Sequence, residues 1–339
     1  MRVLLACDRS GGHFFPAFSL AHYLDKEEVY FFIPSHYFSN FLRMRGWKVL
    51  GKPLNFRNVL LEGGFRICEA LYVICKVRPK KVIGFGGRDT FFLIVIASLF
   101  FIYTAIYEPN VVKGKTNKYL SLIVRKVYCG FSLPFKSKKA IKVGVPLRDD
   151  LRIWDKKDAK DKLELFDDLA VILWFGGSQG SIFINQLVKW LVNNIKRDFQ
   201  IIHIVGSKQF NEFINFYDKI KIKAKIFEFC LNMDLVYSAS DIVISRAGIL
   251  SLVEISWFGI PAILIPHPGA SRHQSANAYY LQERKACFVF EQDNFNYHNF
   301  KNTLERLLDD IALRREISQN LKSLGLGISS EQFYRNLEL

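Results

Sequence analysis

Three glycine-rich segments carry the chemistry that this 339-residue chain can be read for: Ser10-Gly11-Gly12-His13, Gly84-Phe85-Gly86-Gly87 and Gly176-Gly177-Ser178-Gln179-Gly180. Each follows an apolar run and precedes a segment with helical patterning. Glycine at such a junction lets backbone N–H groups approach a phosphate, and the next helix N-terminus presents partial positive charge to it. One such segment is often only a tight turn, but three at equivalent positions favour diphosphate binding. None has the P-loop spacing and none completes G-x-G-x-x-G, which argues against a kinase, an NTPase or a simple dehydrogenase. A fourth segment is richer: Ser245-Arg246-Ala247-Gly248, then Ser251, Glu254, Gly259-Ile260-Pro261 and Pro266. Glu254, six residues after Gly248, can accept hydrogen bonds from two ribose hydroxyls, contacts that contribute roughly 1.5–3 kcal/mol. A solvent-facing helix carboxylate is the bland reading. Glu254 lies among Leu252, Val253, Ile255 and Trp257, however, and a carboxylate in so apolar a helix needs a partner.

The elements that must position these residues alternate strand and helix. Residues 3–7 and 29–33 read as strands, with helices from 15 to 24 and 36 to 45. A long apolar-periodic stretch at 59–77 reads as a helix, followed by strands at 81–85, 101–106 and 126–131. The uncharged run 91–106 falls short of the ~20 residues that span a bilayer, so it reads as a buried helix entering a buried strand. The second half repeats the pattern: strands at 169–175, 201–205, 225–229, 241–245 and 261–266, and a helix at 181–194. Such alternation predicts an α/β protein with two doubly wound, Rossmann-like parallel-sheet domains, here expected to face each other across a cleft. The Pro/Gly element Val143-Gly144-Val145-Pro146-Leu147-Arg148 marks the linker. Expected domains are therefore 1–146 (acceptor and membrane side), 147–326 (nucleotide side) and a C-terminal helix at 327–339 that packs back on the first domain.

Half the residues are hydrophobic and 31 are Phe, enough for two cores and incompatible with a disordered chain. The net charge of +15 suggests an anionic partner: nucleic acid, an acidic membrane surface or a phosphorylated substrate. A nucleic-acid module would need a basic face with exposed aromatics, whereas many aromatics here sit in apolar runs, so no nucleic-acid partner is expected. The six cysteines form no C-x-x-C pair and read as buried, reduced thiols. The apolar run after Met1 is too short for a signal peptide, so a cytoplasmic chain is the expectation. Paired acids at 149–150, 167–168 and 309–310 read as polar surface, so no bound metal and no resident cofactor is expected; the sequence does not decide stimulation by Mg²⁺, and no strong oligomer signal is present.

From residue 3 to about residue 281 these motifs fall in an order that resembles the MurG family, the bacterial lipid II-forming N-acetylglucosaminyltransferases of glycosyltransferase family 28. Ser10-Gly11-Gly12-His13-x-x-Pro16-Ala17 matches the end of the family's G-G-T-G-G-H-x-x-P-A loop, and residues 84–87 match its second glycine loop. Tyr107-Glu108-Pro109-Asn110, with Thr116-Asn117-Lys118 downstream, is similar to its H-E-Q-N segment, and residues 143–148 to its G-N-P-V-R linker. Residues 176–180 with Asn185 repeat its G-G-S-Q-G loop, and His273-Gln274 with Asn277-Ala278 fit D-H-Q-x-x-N-A. The chain departs from the pattern at Asp8 and Arg9, which replace the first loop glycines, at Tyr107 and Pro109, and at Arg272. Most departures fall on the acceptor side.

The resemblance implies a GT-B fold and inverting transfer of N-acetylglucosamine from UDP-GlcNAc to the C4 hydroxyl of a lipid-linked diphosphate acceptor, lipid I, giving lipid II for peptidoglycan. On the donor side it implies Ser178, Gln179 and Arg148 at the diphosphate, and Ala247, Gly248 and Ile249 lining the nucleotide site. Glu254 would hold the ribose, and His273 and Gln274 the sugar. Ser10, Gly11, Gly12 and Asn110 would face the acceptor, with His13 as the candidate base and Glu108 as the second candidate. An imidazole with an ordinary pKa of about 6.5 suits proton transfer near neutrality. A peripheral place on the anionic cytoplasmic leaflet of the bacterial inner membrane gives the positive charge a use, with residues 56–81 and 91–101 as the expected patch; the competing reading of this stretch is a core helix with basic ends. The rival readings are an inverting transferase with another lipid acceptor, such as diacylglycerol, and a nucleotide-sugar epimerase.

Overall fold

The computed structural model describes residues 1–53, 59–177, 180–220, 222–269 and 272–338. They form two compact units, Met1–Asp149 with Ile328–Leu339, and Asp150–Gly327.

In the first unit the order is β1 (Val3–Ala6), α1 (Gly11–Ala21), β2 (Val29–Phe32), α2 (His36–Met44), β3 (Lys48–Leu50), α3 (Val59–Val77) and β4 (Lys81–Gly84). Then come α4 (Phe91–Leu99), β5 (Tyr103–Glu108), α5 (Lys115–Leu120), β6 (Lys126–Cys129), β7 (Ala140–Lys142) and β8 (Val145–Pro146). Seven strands make one sheet in the order β3-β2-β1-β4-β5-β6-β7, with every pair parallel. β1 shows why its sequence is apolar without alternation. Val3 and Leu5 enter a core with Phe14, Phe31 and Ile83, while Leu4 and Ala6 enter another with Ile74, Val82 and Ile106. A parallel strand covered on both faces needs apolar side chains on both.

The second unit holds α6 (Lys156–Lys162), β9 (Val171–Phe175), α7 (Ile182–Asn194), β10 (Gln200–Ile204), α8 (Phe210–Tyr217), β11 (Ala224–Phe227), α9 (Met233–Ala239) and β12 (Ile242–Ser245). It continues with α10 (Ile249–Phe258), β13 (Ala262–Leu264), α11 (His273–Gln282), β14 (Phe288–Val289), α12 (Tyr297–Asp309) and α13 (Ile311–Ser323). Its parallel sheet runs β11-β10-β9-β12-β13-β14. The two doubly wound parallel sheets are the GT-B pattern expected above.

The chain then returns to the first unit through β15 (Gly327–Ile328), which pairs with β8, and α14 (Ser330–Leu337). Phe333 and Leu337 are buried in the core beside Phe14 and Tyr107, and the Tyr128 hydroxyl donates to the Leu337 carbonyl at 2.8 Å. Burying those two side chains stabilises the first unit by roughly 3–6 kcal/mol. Helix α3 starts and ends where its periodicity predicts. Four cysteines are buried, but Cys68 and Cys75 lie exposed on α3 and correct the expectation of uniformly buried thiols.

Candidate active site

In the first unit, α1 begins at Gly11 instead of near residue 15, so Gly11, Gly12 and His13 form its first turn with Ser10 as N-cap. That turn follows directly from β1, which brings His13 back over the residue that leaves the strand. Asp8 Oδ1 accepts the Ser10 backbone N–H at 2.9 Å and lies 2.7 Å from His13 Nδ1. Both side chains are about a quarter exposed, at 22% and 25%. Burial works against the charged imidazolium, but the Asp8 hydrogen bond and the charges of Asp8 and Glu108 outweigh it, and the His13 pKa is raised. For Asp8 burial acts upward, and the His13 hydrogen bond and charge with the Ser10 amide more than offset it, so its carboxyl titrates below the usual value.

The second glycine segment, at the end of the adjacent strand β4, closes on this pair. Gly86 and Gly87 have φ of 102° and 91°, a region that favours glycine. A Cβ at Gly86 would stand 2.8 Å from His13 Nε2, and one at Gly87 would stand 2.2 Å from Asp8 Oδ2. These glycines leave room for the carboxylate–imidazole pair. Thr90 Oγ1 donates to the Gly87 carbonyl at 3.0 Å and holds the loop.

Glu108, ending β5, is 2% exposed, and both its oxygens are engaged. Oε1 accepts from Asn110 N at 3.2 Å and Nδ2 at 2.9 Å; Oε2 accepts from Gly114 N at 2.7 Å and Asn117 Nδ2 at 3.0 Å. Four donors commit this carboxylate to shaping its loop, and it reaches His13 as an electrostatic neighbour. Asn110 is fixed by the same carboxylate. Arg9 pairs with Asp89 at 3.4 Å, and Asp89 with Arg66 at 3.0 Å. Arg66, expected on a basic surface, is 3% exposed and also bonds Glu69 at 2.6 Å, because burial obliges a guanidinium to find carboxylates. Arg148 belongs to the first unit, its guanidinium 5.9 Å from the centroid of the Phe15 ring.

The second unit gathers its residues at the carboxyl ends of the neighbouring strands β9, β12 and β13. Ser178 and Gln179 lie outside the described residues. Around them, Gly176 and Gly180 pack so closely that a Cβ at Gly176 would meet Ser181 N at 2.3 Å, and Ser181 caps α7. Arg246 laces the strand ends together. Its Nη1 donates to the carbonyls of Ile265 at 3.0 Å and Pro266 at 3.2 Å, and its Nη2 to Ser181 Oγ at 2.7 Å and Gln292 Oε1 at 2.6 Å. Its Nε is enclosed without a partner, and among the described residues no carboxylate pairs with it. Burial alone brings its pKa down to about 10. A buried guanidinium held only by neutral oxygens beside a helix N-terminus is suited to a bound anion.

Gly248 is the half-buried N-cap of α10, whereas Ala247 and Ile249 are buried beside it and offer little surface. Glu254 is 8% exposed and has the partner its surroundings require, accepting from the Tyr237 hydroxyl at 3.0 Å. Gln274, on the first turn of α11, accepts the His267 N–H through Oε1 at 2.9 Å, and neighbouring His273 has an enclosed Nδ1 without a partner. Sequence reasoning missed two residues. Arg246 was legible inside its motif but not as a charge without a counterion. Asp8 was read only as a departure from a glycine, although a carboxylate five residues before a histidine across a tight turn was the available signal.

Residues 3–129 match the glycosyltransferase family 28 N-terminal domain, and residues 171–328 match the C-terminal domain. The UDP-N-acetylglucosamine–N-acetylmuramyl-(pentapeptide) pyrophosphoryl-undecaprenol N-acetylglucosamine transferase of Protochlamydia amoebophila is 32% identical, covering 94% of this chain and 90% of its own. Its namesake in Aquifex aeolicus is 29% identical over 97% of both. The crystal structure of Acinetobacter baumannii MurG superposes with a TM-score of 0.80 at 22% identity, covering 100% of this chain and 99% of that one.

Proposed function

The chain belongs to glycosyltransferase family 28, and from that premise we propose that it transfers N-acetylglucosamine from UDP-GlcNAc, with inversion, to the C4 hydroxyl of MurNAc on a lipid-linked diphosphate acceptor. The single observation that carries the donor side is Arg246, a buried cation without a carboxylate beside the N-terminus of α7. There it favours the diphosphate, together with Ser178, Gln179 and the amides of residues 176–180. Gly248, with Ala247 and Ile249 behind it, borders the nucleotide; Glu254 accepts the ribose hydroxyls, and His273 and Gln274 hold the sugar. Ser10, Gly11, Gly12 and Asn110 face the acceptor.

In one in-line displacement His13 Nε2 takes the proton of the C4 hydroxyl while that oxygen bonds to C1 of the sugar. The bond from C1 to the diphosphate oxygen breaks, its electron pair leaves with UDP, and the proton passes from His13 to solvent. The inverted product is β-linked.

The acceptor's lipid places the first unit at a membrane surface. Among the described residues no helix is long and apolar enough to cross a membrane. The first unit exposes Leu61, Ile67, Leu71 and Tyr72 on α3, and Leu99, Phe100 and Phe101 at the end of α4 and just past it, the last at 87%, with exposed Lys76, Arg78 and Lys80 close in sequence to the α3 residues. Apolar side chains with basic neighbours suit a peripheral position on an anionic leaflet, each basic residue contributing about 1 kcal/mol.

One experiment tests both parts: UDP-GlcNAc and the lipid-linked MurNAc-pentapeptide acceptor are supplied in phosphatidylglycerol-containing or purely phosphatidylcholine vesicles. The expected outcome is β-linked product only with acceptor, and chain floating with the anionic vesicles. Conversion of UDP-GlcNAc to its C2 epimer without acceptor would replace transfer by epimerisation, and chain left behind by the anionic vesicles would defeat the membrane assignment.

A further inference from the structure

We propose that Asp8 is the positioning residue for His13: its carboxylate holds Nδ1–H, so that Nε2 is the nitrogen offered to the acceptor hydroxyl. The proposal rests on the reading of His13 as the base. Asp8 stands where the resembled loop has a glycine, so the pairing belongs to this chain's own sequence.

The geometry leaves the pair little freedom. Asp8 Oδ1 is fixed from one side by the Ser10 N–H at 2.9 Å and meets His13 Nδ1 at 2.7 Å. A Cβ at position 87 would overlap its Oδ2, and one at position 86 would crowd His13 Nε2, so the space the pair occupies exists only because both residues are glycine. A carboxylate serving only the turn before α1 would be satisfied by the Ser10 amide. The second, shorter contact holds a ring that also carries a free nitrogen, the arrangement by which a carboxylate sets the tautomer of a histidine base. An ionised carboxylate can only accept, so the proton of the neutral imidazole resides on Nδ1 and the Nε2 lone pair is left for the substrate.

Other charged groups lie around the ring. Glu108 faces it from the end of β5, with both oxygens held by its own loop. Arg9, on the same turn, is drawn to Asp89, and Arg148, past β8, stands over Phe15 two residues beyond His13. None of these bonds Nδ1, so the tautomer is set by Asp8 and the field around it by the rest.

The test compares full-length wild type with Asp8→Asn and His13→Ala. The amide keeps the size of the carboxylate but can donate to Nδ1 and move the proton to Nε2. Expected for Asp8→Asn is a kcat lower by about a hundredfold, with KM for UDP-GlcNAc unchanged. Removing the negative charge makes the imidazolium easier to deprotonate, so the acidic limb of log kcat/KM moves to lower pH. A purely structural Asp8 would leave that limb in place. An Asp8→Asn enzyme with wild-type kcat and limb, while His13→Ala is inactive, overturns the positioning role and spares the base. Activity retained in His13→Ala overturns both. Independently of any variant, ¹⁵N NMR of the wild-type imidazoles should show His13 as the Nδ1–H tautomer when neutral, and an Nε2–H tautomer contradicts the proposal.

Discussion

Replacing His13 with alanine is expected to lower kcat by about a thousandfold, within the range of 10²–10⁴ that positioned proton transfer contributes, while UDP affinity is unchanged. The reason lies in the first unit alone. Glu108, the other candidate base, has both oxygens occupied by four donors, so no second group takes over the proton. The loss should appear in kcat and kcat/KM together, as it does for an interaction made in the transition state. The wild-type acidic limb should lie above that of a free imidazole, because the folded pKa of His13 is raised. The same shift has a stability consequence with a fixed sign. Protonated His13 contributes stability fully below its unfolded pKa, and that contribution is lost as pH rises through the folded value. His13→Ala therefore costs stability in acid and little in alkali, and thermal melts at the two extremes check this.

Arg246→Met should weaken UDP binding about thirtyfold, ~2 kcal/mol, with the Tm of the ligand-free chain changed by only a few degrees. Methionine forfeits four hydrogen bonds to neutral oxygens, but it also removes a buried charge whose desolvation has no carboxylate to offset it. These terms oppose each other in the empty protein. With a diphosphate present only the loss remains. A Tm that collapses while affinity holds would make Arg246 a structural tie between strand ends.

What could be read from the sequence depended on how local its physics was. The α3 periodicity carries its own boundaries, and the uncharged run 91–106 resolved into α4 and β5, although Leu99, Phe100 and Phe101 within it are exposed instead of buried. β3, β7 and β14 were not legible, being only two or three half-buried or exposed residues long. The start of α1 was missed because glycines at 11 and 12 hide a helix whose N-cap, Ser10, makes no side-chain capping bond. The partner of Glu254 was expected but unnamed, since Tyr237 lies seventeen residues away. Arg66 looked like surface charge because Asp89 and Glu69 meet it only in the folded unit. The glycine segments at the strand ends were legible; Asp8 and Arg246 were not, because their roles lie in contacts made and contacts lacking.

Donor binding requires a uridine nucleotide to lie along the carboxyl ends of β9, β12 and β13. Calorimetric titration of UDP against the full chain and Glu254→Ala addresses that directly. Saturable binding by the wild type and about tenfold weaker binding by the variant, ~1.4 kcal/mol, is the expected pair of results. Equal affinity in the two proteins, or heat from neither, would contradict it.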